Sequence, residues 1–132
     1  MPVIKTEHLM GAALNWVVAK CEGVRMEDVL PPRWKGASLE LLRRDENGKR
    51  TGHYVTGQFN YCTGSTQWEW GGPIIEREGI SIGKGTDGWA AFINVDDEDG
   101  HLGATPLVAA MRCYVASKIG DEVDVPERFL EA

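Results

Sequence analysis

The chain has 132 residues, of which 42% are hydrophobic and 26% are charged, and its formal net charge is −6. This length fits a single domain, predicted to span residues 1–132, and the composition argues against a wholly disordered chain. The acidic balance disfavours nucleic acid and anionic membrane as partners, because both carry negative charge.

The first predicted helix covers residues 7–21. Thr6 is predicted to cap it with its hydroxyl, and Gly23 stands where a left-handed terminator belongs. The apolar residues recur at helical spacing and predict one buried face: Leu9, Ala13, Leu14, Val17 and Cys21.

The middle of the chain changes to the pattern of strands. Residues 39–44 and 51–58 predict a hairpin, whose turn contains Asn47-Gly48, a pair that tolerates positive φ. Further extended pieces are predicted, with an acidic loop among them: strands at 74–75, 80–82 and 89–93, the loop at 96–100, and an extended piece at 123–125.

The second helix has the clearest signals. Thr105 is the predicted cap, Pro106 the first helical residue, and Gly120 the terminator. Its predicted buried stripe is Leu107, Val108, Met111, Tyr114, Val115 and Ile119. The elements together predict an α+β fold, in which a small antiparallel sheet carries two main helices packed on one side.

The cellular setting follows from what the sequence lacks. No apolar run approaches the ~20 residues that span a bilayer, and the first residues do not follow the pattern of a signal peptide. Cys21, Cys62 and Cys113 are an odd number without paired spacing, which predicts free thiols rather than disulfides. We therefore expect a protein that stays in the reducing cytoplasm of the cell that makes it, without contact to a membrane.

Three segments resemble one known family. The longest is TGSTQWEWGGPIIEREGI at residues 63–80, and the second is GATPLVAAMRCYVA at residues 103–116, which continues through 120–123. The third is the opening motif Leu9-x-Gly11-x-x-Leu14-x-Trp16-x-Val18-Ala19. They are similar to a bacteriophage protein family without an assigned biochemical role, which includes the NinX proteins of lambdoid phages.

The resemblance implies a phage or prophage protein that acts inside the infected bacterium in an accessory, non-structural role. It supplies no catalytic residues. Family members tend to have a proline before the Ser-Thr pair, whereas this chain has Tyr61-Cys62-Thr63-Gly64. Residues 31–60 show no resemblance that can be assigned.

The segment from Ser65 to Glu78 is the first candidate ligand site. Hydroxyls, indoles and a glycine-rich backbone could together hold a ring and an anion. The residues concerned are Ser65, Thr66, Trp68, Trp70, Gly71 and Gly72. The alternative is a cross-over loop anchored in the core by one tryptophan, since two tryptophans two apart on a strand face opposite sides.

Glu76 and Arg112 complete the candidate site. On a strand, Glu76 and Glu78 would share a face and could act as a carboxylate pair, or they could form a solvated edge that discourages aggregation. Arg112 lies within an otherwise apolar helix. It either pairs with a carboxylate such as Glu76 or Glu78, or binds an anion at the bottom of a cleft.

Other reactive combinations have weaker support. Cys62 with His53 would need a motif and an oxyanion element that the sequence does not show. A metal site could draw on His53, His101, Asp96, Asp97 and Asp99, but the acidic run lacks the spacing of a calcium loop, and a solvated turn is the simpler interpretation. We predict no cofactor and no metal.

The sequence favours a non-enzymatic accessory protein that binds a host or phage protein. Five tryptophans in a small acidic chain support this hypothesis, because tryptophan anchors many interfaces. The alternative is a protein that binds or sequesters a small, nucleotide-like molecule through residues 65–78 and Arg112. An enzyme is the third hypothesis, and a homo-oligomer is compatible with all three.

Overall fold

The computed structural model describes residues 2–32, 39–59, 61, 68–93 and 100–130, with the backbone alone for residues 52–59. The strands of the described part are β1 Val3–Lys5, β2 Val29–Leu30, β3 Leu39–Arg44, β4 Arg50–Phe59, β5 Ser81–Gly85, β6 Gly88–Phe92, β7 His101–Gly103 and β8 Glu122–Asp124. The helices are α1 Gly11–Cys21, α2 Trp68–Glu78, α3 Pro106–Lys118 and α4 Glu127–Leu130.

The described strands form three small antiparallel sheets, ordered β1-β8, β2-β3-β4 and β5-β6-β7. The predicted α+β class with antiparallel pairing is confirmed. The strands divide among three sheets because the hairpins pair locally, whereas β1 pairs with β8 from the far end of the described chain, with Ile4 opposite Val123.

The α3 helix occupies the middle of the hydrophobic core. It packs against the β5-β6-β7 sheet and also contacts α1 and α2. Ala109, Ala110 and Met111 are fully buried, and the small side chains of the two alanines let neighbouring elements approach closely. The positions of α1, α2 and β7 are therefore all fixed by contact with one helix.

The predicted limits of α3 are confirmed. Thr105 caps the helix by accepting a hydrogen bond from the backbone N–H of Val108 at 3.2 Å, and Pro106 is the first helical residue. One residue of the predicted buried stripe is misplaced, because Ile119 follows the last turn and is 40% exposed.

The start of the first helix differs from the prediction. The α1 helix begins at Gly11, after a 3₁₀ turn at Thr6–His8, and the hydroxyl of Thr6 donates to the carbonyl of Gly120 at 2.6 Å instead of capping the helix. The cause is the pairing of β1 with β8, which continues through the backbone N–H of Thr6 to the carbonyl of Asp121 at 2.8 Å. Gly23, with φ of 83°, follows the helix as predicted.

The predicted hairpin of β3 and β4 is confirmed, with a correction at its turn. Gly48 has φ of 81°, but no residue other than glycine adopts positive φ in the described part, so Asn47 does not. The Asp45 carboxylate accepts hydrogen bonds from the backbone N–H groups of Asn47 and Lys49, both at 2.9 Å. Such a three-residue loop requires the left-handed conformation at its last position alone.

Among the residues that the structure describes, no helix is long and apolar enough to span a bilayer.

Candidate functional site

The segment predicted to be a strand at residues 74–75 is part of the α2 helix, Trp68–Glu78. Gly71, Gly72 and Pro73 disfavour a helix by intrinsic propensity, and for that reason sequence reasoning missed it. Tertiary packing overrides the propensity, because Gly71 and Ile74 are buried one turn apart. The spacing of the apolar residues Trp70 and Ile74, four positions apart, is the signal that could have indicated the helix.

The two tryptophans of α2 differ in exposure. Trp68 is 42% exposed, whereas Trp70 is partly buried against the core. The sequence predicted one exposed and one buried tryptophan on the assumption that the segment is a strand. The difference in exposure is found although the segment is a helix, because residues two apart on a helix also point in nearly opposite directions. The indole Nε1 of Trp70 is buried and has no hydrogen-bond partner among the described residues.

Gly71 and Gly72 have different roles. A Cβ at Gly71 would lie 2.7 Å from the Leu107 side chain and 2.8 Å from the carbonyl oxygen of Tyr61, whereas a Cβ at Gly72 would meet nothing within 4 Å. Gly71 therefore permits close packing of α2 on α3. Since the helix uses backbone amides for its own hydrogen bonds, these glycines do not form the open anion-binding loop that the sequence suggested.

We expect Gly71→Ala to lower the free energy of unfolding by about 1–2 kcal/mol, because the carbonyl of Tyr61 is backbone and cannot yield as a side chain can. Gly72→Ala is the matched control and should leave stability unchanged or raise it, since alanine favours a helix over glycine. Urea denaturation of both variants measures the difference. Equal stability of the two variants would contradict the packing role of Gly71.

Glu76 and Glu78 do not form the predicted carboxylate pair, because on a helix they point in nearly opposite directions. Glu76 is exposed. Glu78 accepts from Arg77 at 2.9 Å and lies 2.9 Å from the Lys118 ammonium. The alternative prediction, that these residues form a strand edge that discourages aggregation, is also wrong, because they are helical.

Arg77 is the centre of a charged cluster that links α1, α2 and α3. It donates to both carboxylate oxygens of Glu22, at 3.0 and 2.7 Å, and Tyr114 donates its hydroxyl to Glu22 at 2.5 Å. Arg77 and Lys118 each lie over the Tyr114 ring, at 5.7 and 5.8 Å from its centroid. The polar groups of this cluster bind one another and hold the three helices together, which indicates a structural role. We call the cluster the charged clamp; its members are Glu22, Arg77, Glu78, Tyr114 and Lys118.

The clamp shifts the pKa of its carboxyl groups in a consistent direction. Hydrogen bonds from Arg77 lower the pKa of Glu22 below its usual 4.5, and hydrogen bonds from Arg77 and Lys118 lower that of Glu78. Burial, followed by the hydrogen bond to Glu22, raises the pKa of Tyr114. At neutral pH these shifts favour ionised Glu22 and Glu78 and a protonated Tyr114, which are the states in which the hydrogen bonds of the clamp form.

Arg112 lies on a different side of α3 from the α2 segment. Its Nε donates to the carbonyl of Leu9 at 2.7 Å, and its Nη1 donates to the carbonyl of Leu102 at 2.8 Å. Leu107, by contrast, faces Gly71 of α2. The structure therefore does not bring Arg112 together with the α2 residues, and Ser65 and Thr66 lie outside the described residues.

Arg112 lines a cleft of about 410 Å³ between the 3₁₀ turn and β7. The other lining residues are Glu7, His8, Gly100, His101 and Leu102. A second cleft of about 440 Å³ shares Glu7, Gly100 and His101 with it. This position agrees with the hypothesis of an arginine in a cleft, which stays a prediction.

A third cleft, not predicted from the sequence, is apolar. We call it the β1 groove; it measures about 460 Å³ and is lined by Val3, Ile4, Lys5, His8, Leu9, Met10, Ala13 and Leu130. Leu9 and Ala13 are buried, whereas Val3, Met10 and Leu130 are 60%, 65% and 38% exposed. No local pattern predicted the groove, because its walls come from opposite ends of the described chain.

The remaining reactive combinations are only partly described. Cys21 and Cys113 are free thiols, as predicted, and burial raises the pKa of Cys21. Within the described ranges, no three acidic, histidine or cysteine side chains converge as metal ligands. Cys62, the side chain of His53, and Asp96, Asp97 and Asp99 lie outside what the structure describes, as does most of the predicted acidic loop.

The described residues thus define a small α+β protein with an exposed apolar groove and two polar clefts beside it. The chain belongs to the family described as Bacteriophage P22, NinX, which matches residues 5–118, and it is therefore a phage-encoded protein. The resemblance predicted from three segments is confirmed. The match also includes residues 31–60, which the resemblance had left unassigned. A comparison with curated proteins found no match.

Proposed function

We propose that this phage protein acts in the cytoplasm of the infected bacterium by binding a host or phage protein, without catalysing a reaction. The observation that carries the proposal is the β1 groove, where Val3, Met10 and Leu130 are exposed on one surface. Exposed apolar residues gathered around a groove are typical of protein-binding surfaces, whereas scattered single ones need no explanation.

The composition of the groove supports a macromolecular partner. Its floor is formed by buried aliphatic side chains, and its rim includes a methionine, a residue that adapts to partners of different shape. The charged clamp around Arg77 agrees with a non-catalytic role, because its groups are engaged with one another in holding three helices together.

Binding of a small anionic molecule is the second candidate function, favoured by the position of Arg112. This side chain lines a cleft of about 410 Å³ beside two histidines, which is within the usual size of small-molecule sites. Nucleotide-like molecules carry the negative charge that such a cleft would select.

We expect native mass spectrometry of tagged protein, recovered gently from infected bacteria, to show a polypeptide bound at fixed stoichiometry. Met10→Glu should abolish this complex, because it places a charge on the apolar rim. Trp68→Glu is the matched control, since Trp68 is also exposed but lies on α2. It should retain the partner.

Other outcomes assign the function differently. Loss of the partner in Trp68→Glu alone would move the binding site to α2. A small mass that is released on denaturation and depends on Arg112 would replace protein binding with the second candidate function.

A further inference from the structure

The β1 groove is bounded by the edge of a strand and not by its face. Val3, Ile4 and Lys5 are consecutive residues of β1, and all three line the groove. Because side chains alternate along a strand, one face would present alternate residues only. No residue of β8 lines the groove, so it lies on the side of β1 opposite to β8.

The alternation of hydrogen bonds between β1 and β8 also indicates that the free edge of β1 faces the groove. The Thr6 N–H donates to the Asp121 carbonyl at 2.8 Å, and the Val125 N–H donates to the Pro2 carbonyl at 3.0 Å. In an antiparallel pair, hydrogen-bonded residues alternate with residues whose backbone groups point away from the partner strand, so Pro2, Ile4 and Thr6 face β8 and the residues between them do not. The N–H and C=O groups of Val3 and the N–H of Lys5 therefore point away from β8, toward the groove, whereas the Lys5 carbonyl accepts the first hydrogen bond of the 3₁₀ turn.

The charge of the groove distinguishes among occupants. Lys5 and His8 are its ionisable lining residues and both are basic, although the chain has a net charge of −6. The carboxylate of Glu7 lies 3.7 Å from His8, whereas Lys5 has no ion-pair partner among the described residues. A second copy would present the same basic residues along this edge and no complementary carboxylate from its own β1, so charge complementarity favours a different, acidic segment over self-association.

We propose that β1 accepts an extended segment of another protein as an added strand, with alternate apolar side chains in the groove and a carboxylate near Lys5. This inference rests on the proposed protein-binding function and deepens it. Backbone hydrogen bonds to Val3 and Lys5 would supply affinity, and the pockets between β1, α1 and α4 would select the side chains.

The decisive variant is Lys5→Pro. Lys5 has φ of −67°, close to the value that proline requires, so the substitution removes the outward N–H without disturbing β1. Random linear peptides selected against the intact protein are the probe, and the tightest one is synthesised. We expect enriched peptides to alternate apolar residues and contain Asp or Glu, and Lys5→Pro to weaken binding about tenfold.

Two controls separate the contribution of the Lys5 N–H to binding from that of its charge and from any effect on folding. Lys5→Gln keeps the N–H and should lose only a few-fold in affinity at low salt and nothing at high salt. The unfolding midpoint of Lys5→Pro should equal that of the unmodified protein, which excludes misfolding as the cause. Hydrogen exchange of the Val3 and Lys5 amides should slow when the peptide binds.

The outcomes distinguish this inference from the proposed function. Peptides that need Met10 but are indifferent to Lys5→Pro would overturn strand addition and leave the groove as a protein-binding surface. Absence of enrichment, or self-association that Lys5→Pro abolishes, would also overturn it. The complex from infected bacteria tests protein binding independently.

Discussion

Gly103→Ala is expected to destabilise the protein by about 3 kcal/mol or more, the largest effect that we predict for a single methyl group. A Cβ at Gly103 would lie 2.8 Å from the Ala109 Cα and 3.0 Å from the carbonyl carbon of Val108. These are backbone atoms of α3, so relief would require β7 to move away from the helix. Urea denaturation measures the loss.

The matched control for Gly103 is Gly83, which lies on β5 of the same sheet and whose Cβ would meet nothing within 4 Å. Gly83→Ala should change stability by less than about 1 kcal/mol. If both substitutions had the same effect, close approach of β7 to α3 would not explain the role of Gly103.

Gly103→Ala should also change the cleft that Arg112 lines, because Leu102, the residue before Gly103, forms part of that cleft. Arg112 donates to the carbonyl of Leu102, which precedes Gly103 in β7, so displacement of β7 also moves a wall of the Arg112 cleft. Packing between α3 and β7 therefore determines the shape of the surface beside the β1 groove.

The second large effect is a loss of stability in acid that depends on Glu22. The pKa values of Glu22 and Glu78 are lower in the folded protein than their usual 4.5, chiefly through hydrogen bonds from Arg77. Their contribution to stability is therefore complete above the unfolded-state pKa and is lost as the pH falls through the folded-state pKa. We expect the free energy of unfolding to decline below about pH 4.5.

Glu22→Gln should reduce this acid-dependent decline, because the variant has one carboxylate fewer to protonate in the clamp. Glu76→Gln, which removes an exposed carboxylate of α2, is the control for the loss of one charge. Unfolding measured between neutral pH and acid distinguishes the two variants. A decline as steep in Glu22→Gln as in the unmodified protein would show that the clamp does not cause it.

Tyr114→Phe tests the same clamp at neutral pH. The substitution removes the hydroxyl that donates to Glu22 and accepts from Arg77 at 3.4 Å, but it leaves the ring and the hydrogen bonds from Arg77 to Glu22 in place. Loss of the hydroxyl and its two hydrogen bonds should lower the free energy of unfolding by about 1 kcal/mol, chiefly through the shorter bond to Glu22. Because the pKa of Tyr114 is raised, its contribution is complete below the usual 10 and is lost as the pH rises through the folded-state value.

Local signals were sufficient for some elements. The α3 helix was predicted from Thr105, Pro106 and its apolar stripe, because a cap, a first-turn proline and helical periodicity all act within a few residues. The β3–β4 hairpin was predicted for the same reason, since the turn around Gly48 is a local requirement.

Local signals were misleading where distant contacts dominate. The α2 helix contains Gly71, Gly72 and Pro73, which disfavour a helix, yet packing on α3 selects it. Likewise, Thr6 has a side chain that often caps helices, but the pairing of β1 with β8 places its hydroxyl where it donates to the carbonyl of Gly120 instead. Propensities of about 1 kcal/mol or less per residue are readily exceeded by burial of an apolar face.

The sequence by itself determined the α+β class, the antiparallel hairpin, the capped α3 helix and the phage family, because each can be recognised from short segments without knowing how these segments pack. The tertiary structure alone decided the separation of Arg112 from α2, the charged clamp around Arg77 and the β1 groove. The clamp and the groove join side chains that are far apart in the chain, such as Glu22 and Arg77, or Met10 and Leu130. Their proximity depends on how the helices pack and on the pairing of β1 with β8, which no local pattern specifies.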